Sequence, residues 1–82
     1  MKRLEMISKF CRAGISDNLF WLGAIEKADG VNGLNYNGQR WFVYYRENGV
    51  LSDVKECATQ EEACDELYKR VMSLNNHELF SQ

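Results

Sequence analysis

Residues 37–57 read NGQRWFVYYRENGVLSDVKEC, and this stretch decides the fold. Trp41–Glu47 is rich in aromatic and β-branched side chains and forms the most strand-prone segment of the chain. It lies between Asn37-Gly38 and Asn48-Gly49. Asn-Gly is the strongest short hairpin signal, because both central residues of a type I′ turn need φ > 0. Two such turns around one strand predict a three-stranded antiparallel meander, with the strand before Asn37 containing Leu34 and Tyr36 and the strand after Gly49 running VLSDVKEC.

The meander is followed by Thr59-Gln60-Glu61-Glu62, a capping box. The threonine hydroxyl is expected to accept from the Glu62 amide while the Glu62 carboxylate reaches back to the Thr59 N–H. Ala63, Leu67 and Val71 then form an apolar stripe, widened by Cys64, Tyr68 and Leu74. Asn75-Asn76 is expected to end this helix and leave 75–82 as a loose tail. Before the meander, Leu4, Ile7, Phe10 and Cys11 recur at helical spacing up to a stop at Gly14. The segment from Asp17 to Asp29 fits either a helix capped by Ser16 or Asp17 or a short buried strand; the run LFWLG favours a strand at 18–24. The resulting expectation is one α+β domain over residues 1–82. It has an N-terminal helix, an antiparallel sheet of three or four strands and a C-terminal helix, with both helices on one sheet face.

Composition narrows the function. The chain has 82 residues, 45% of them apolar and 27% charged, and no proline, which is a globular composition. Its longest apolar runs are too short to span a membrane, and Glu5, Lys9 and Arg12 interrupt any signal-peptide core, so a cytoplasmic protein is expected. Cys11, Cys57 and Cys64 are an odd number without paired spacing and read as reduced, mostly buried thiols. His77 is the lone histidine and falls in the expected tail, leaving no base for a nucleophile and no metal-ligand set. No cofactor, metal or catalytic residue is expected. Double-stranded-RNA-binding domains share the helix–sheet–helix order, but they place lysines at the start of the last helix. Here that position reads Glu61, Glu62, Asp65 and Glu66, which repels phosphate, so nucleic acid is not an expected partner.

Charge is unevenly spread. Lys2, Arg3, Lys9 and Arg12 crowd the first fourteen residues, whereas 53–66 carries Asp53, Glu56, Glu61, Glu62, Asp65 and Glu66 against Lys55. Each acid is an ordinary solvated side chain when taken singly; together they would steer a basic partner. Trp41–Tyr45 also departs from apolar–polar alternation, so the N-terminal segment, a loop or tyrosine hydroxyls in solvent handle its second face, or that face is a protein interface.

Trp41, Val43, Tyr44, Tyr45, Glu47, Gly49, Glu61 or Glu62, Ala63 and Cys64, with the opening FCRAGISDNLFWLG, resemble the immunity proteins of bacterial contact-dependent growth inhibition and related polymorphic toxin systems. The resemblance implies a cytoplasmic monomer that joins a cognate toxin C-terminal domain in a 1:1 complex and masks its active site. Such toxins are often basic nucleases, to which an acidic inhibitor is the electrostatic complement. The alternative is an intracellular protein-binding adaptor or regulatory module unrelated to toxins. In either case Tyr44, Asp53, Glu56, Glu61, Asp65 and Glu66 are the expected contacts. Reversing Glu61, Asp65 and Glu66 to lysine is expected to weaken binding while the domain stays folded.

Overall fold

A computed structural model describes residues 1–80, with side chains through Leu74. The chain runs α1 (Arg3–Arg12), β1 (Phe20–Trp21), a 3-10 turn (Ile25–Lys27), β2 (Val31–Tyr36), β3 (Trp41–Glu47), β4 (Val50–Cys57) and α2 (Gln60–Phe80). The sheet order is β1-β2-β3-β4. The α+β plan expected from sequence is present, and the β2-β3-β4 meander is antiparallel. One strand departs from it: β1 is two residues long and pairs with β2 in parallel, Phe20 opposite Asn32 and Trp21 opposite Gly33.

The two Asn-Gly turns differ. Asn48 and Gly49 have φ of 53° and 80°, the type I′ geometry that joins Glu47 directly to Val50. Asn37 stays out of the left-handed region, and Tyr36 pairs with Trp41 across a four-residue loop. There the Asn37 side chain does the work of a turn: its Oδ1 accepts from the Gln39 and Arg40 amides at 2.9 and 2.8 Å.

At the end of α1 the Ile15 amide donates to the Phe10 carbonyl and the Gly14 amide to that of Cys11, with Gly14 at φ 75°. This is a Schellman motif, and its apolar partners Phe10 and Ile15 are both buried. The motif fixes which side of α1 faces inward. Met6 and Phe10 are buried, whereas Leu4 is 80% exposed and Cys11 is exposed, so the stripe expected from sequence is rotated and Cys11 leaves the set of buried thiols.

Met6, Phe10, Ile15, Phe20, Leu34, Val43, Cys57, Ala63, Cys64, Leu67 and Val71 form one core. Phe10 stacks on Phe20 at 4.6 Å and on Tyr68 at 5.4 Å, tying α1, β1 and α2 together. By strand alternation and register, Phe20, Leu34 and Val43 share the face covered by the helices, while Trp21, Gly33, Phe42 and Tyr44 share the other.

The capping box forms with one change. Thr59 Oγ1 accepts from the Glu62 amide at 3.1 Å, but Glu62 Oε2 accepts from Ala58 N–H at 3.0 Å, one residue earlier than expected. The C-terminal end is a larger correction. Helical backbone continues through Asn75-Asn76 to Phe80, because asparagine inside a helix costs well under about 1 kcal/mol and neither glycine nor proline intervenes. Ser81, Gln82 and the side chain of His77 lie outside the described residues.

Candidate partner-binding surface

The end of β4 and the first turns of α2 meet in a shallow groove lined by Glu56, Glu62, Asp65 and Glu66, with Lys55, Lys69 and Cys57. The Thr59–Glu62 cap fixes the direction in which α2 leaves the sheet, so these carboxylates sit on a rigid frame. Three of the six residues expected as contacts therefore share one groove. Glu61 is exposed in the same first turn of α2.

Their electrostatic situations differ. Glu66 is the hub of an intramolecular network: Arg70 Nε donates to it at 2.9 Å and Lys55 Nζ at 3.2 Å, with Lys69 at 3.9 Å. Only 12% of its side chain is exposed. Burial alone would raise its pKa, but the hydrogen bonds from Arg70 and Lys55 outweigh burial and hold it below the usual glutamate value. Asp65 is exposed and pairs with the terminal ammonium of Met1, whose pKa the Asp65 hydrogen bond raises. Glu56 and Glu61 are exposed and have no ion-pair partner among the described residues.

Two expected contacts fall elsewhere. Tyr44 is 1% exposed and lies on the sheet face away from the helices. It is a core residue and offers no surface to a partner. Asp53 sits in a β-bulge: Val43 pairs with Lys55 and Tyr45 with Ser52, so Asp53 and Val54 both oppose Tyr44. Asp53 takes φ 51°, a conformation that aspartate tolerates better than most side chains, and its carbonyl accepts from Arg70 Nη2 at 2.5 Å. Arg70 also donates to Asn32 Oδ1, at 3.4 Å. One guanidinium thus joins α2 to the bulge, β2 and Glu66, a structural role for Asp53 and Glu66 that their acidic character does not reveal in the sequence.

Burial pushes the Cys57 and Cys64 thiols up, which makes them poor nucleophiles and suits their place in the core. No helix among the described residues is long and apolar enough to cross a membrane.

The Glu66 network sets a pH dependence. A carboxylate whose folded pKa is depressed contributes stability above its unfolded pKa and loses that contribution as pH falls through the folded value. Wild-type stability should therefore fall below about pH 4.5, the ordinary glutamate value, as Glu66 is protonated. The Glu66→Gln variant should be less stable at pH 7 and show a shallower acid limb. Denaturant titrations of both proteins between pH 2.5 and 7 measure this; parallel curves would remove Glu66 from the acid transition.

Comparison with protein-family models, curated proteins and solved structures returns no match.

Proposed function

We propose that this protein is a cytoplasmic immunity protein that binds the toxin domain of a bacterial competition system and neutralises it by masking its active site. The observation that carries the reading is the cluster of acidic residues where the end of β4 meets the first turns of α2: Glu62, Asp65 and Glu66 line the groove, and Glu56 and Glu61 are exposed and free of ion-pair partners among the described residues. A basic domain of the kind that grips nucleic acid supplies the complementary charge, and complementary fields speed encounter and fix register. The sequence resemblance supports the same reading: Val43, Tyr44, Ala63 and Cys64 are buried, and Glu47 and Gly49 bound the tight turn. These shared residues serve a common frame, which leaves the exposed acids free to differ between pairs.

Co-expression with the toxin domain encoded by the neighbouring gene tests this. The expected result is a 1:1 complex that survives purification and rescues cell growth. A toxin that kills cells equally with and without this protein, and does not co-purify with it, would refute the proposal.

A further inference from the structure

Both helices lie on the other side of the sheet from Tyr44; Trp21 shares its face by register, and the contacts of Arg46 bring the segment that connects β1 to β2 onto the same face. That segment is held chiefly by polar contacts. Arg46, on the same face as Phe42 and Tyr44, donates through Nη1 to the Glu26 and Ala28 carbonyls at 3.0 and 2.6 Å. The Gly30 amide donates to the Arg46 carbonyl at 2.6 Å, the Asn48 amide to Asp29 Oδ1 at 3.1 Å, and Trp21 Nε1 to the Ala24 carbonyl at 2.7 Å. Little apolar surface secures it: Ala28 is 1% exposed and Ile25 half-buried, while Ala24, Glu26, Lys27, Asp29 and Gly30 are exposed. Few buried apolar contacts and solvent-exposed hydrogen bonds are the marks of a segment that opens without global unfolding.

The face beneath carries a penalty in the closed state. The Tyr44 ring lies flush on Gly33, where an added Cβ would stand 2.5 Å from the phenolic oxygen. That hydroxyl is buried and has no hydrogen-bond partner among the described residues. Opening the cover returns it to water, which offsets part of the cost of exposing the ring. From these contacts we infer that segment 24–30 is a releasable strap, latched by Arg46, over the aromatic surface that Trp21 and Tyr44 form on this face. Released, the strap uncovers that surface together with the Arg46 donors that had held two of its carbonyls. The strap rests on the contacts of Arg46, Gly30 and Asp29 and stands independently of the proposed function.

Native-state amide exchange on the full chain, resolved by residue, tests it. The strap amides of Lys27, Ala28 and Gly30 are expected to exchange at least about a hundredfold faster than the best-protected β2–β3 amides. Arg46→Gln should speed strap exchange by a further tenfold or more and leave the β2–β3 amides within about threefold. Tyr44→Phe, which removes the solvation gained on opening, should slow strap exchange. Strap amides as protected as the β2–β3 ladder, equal acceleration of both sets in Arg46→Gln, or faster strap exchange in Tyr44→Phe would each overturn the inference.

Discussion

The Glu66→Lys variant is expected to lose about 3–5 kcal/mol of stability, the range for breaking a largely buried charge pair. Reversal removes the carboxylate that Arg70 and Lys55 share and places a fourth cation beside Lys55, Lys69 and Arg70. Arg70 would then be drawn away from Asp53 and Asn32, loosening α2 from the bulge and from β2. For a domain of this size the loss corresponds to a fall in melting temperature of roughly 12–40 °C. The Glu61→Lys reversal, one turn earlier and exposed, should stay within about 0.5 kcal/mol of wild type. Thermal unfolding of the two single variants separates them. Equal stability would mean that Glu66 is an ordinary surface acid. The sequence-based triple reversal of Glu61, Asp65 and Glu66 is consequently not a clean binding test, because reversing Glu66 would also destabilise the domain being assayed.

A second large effect is expected at Phe10. Phe10→Ala removes a ring that is 1% exposed, stacks on Phe20 and Tyr68, and closes the Schellman motif against Ile15. Large-to-small changes of a buried phenylalanine cost about 3–5 kcal/mol. Domains of this length have total stabilities of roughly 4–12 kcal/mol, so the variant should sit near or past its unfolding threshold at 37 °C. Leu4→Ala and Cys11→Ser, both at exposed positions of the same helix, should change stability by less than about 0.5 kcal/mol. Urea unfolding of all three variants reads the orientation of α1 directly. A large loss at Leu4 with none at Phe10 would mean that the helix is turned the other way.

These positions show where the sequence is informative and where it is not. Thr59 and Glu62 announce the start of α2 because a capping box needs only residues close in sequence. Asn48-Gly49 announces a turn for the same reason, since both residues must take positive φ. The buried side of α1 is harder to read. Leu4, Met6, Ile7, Phe10 and Cys11 spread apolar character around much of the helix, and the contacts with Phe20 and Tyr68 select the side that is used. The parallel pairing of β1 depends on two residues, too few for periodicity to register.

The same limit governs the candidate surface. Asp53, Glu61 and Glu66 are indistinguishable as acidic residues in sequence. Arg70 separates them, because it lies along α2 where it reaches both Glu66 and the Asp53 carbonyl. Tyr44 looks like an interface aromatic until Gly33 is found beneath its ring. A glycine inside the strand pattern at 31–36 was the available signal, since such a glycine often marks close approach by another group.

As proposed, capture of a basic toxin domain runs through the acidic residues where β4 meets α2. The most direct measurement is the association rate with the toxin domain of the neighbouring gene as a function of ionic strength, for wild type and for Glu56→Lys/Glu61→Lys. Both substituted positions are exposed, so the double variant should keep the wild-type melting temperature. Electrostatic steering predicts a wild-type rate that falls steeply with salt and a double variant at least about tenfold slower at low salt, the two converging near 1 M where screening is nearly complete. A folded double variant that associates as fast as wild type, with neither rate depending on salt, would rule out capture through Glu56 and Glu61.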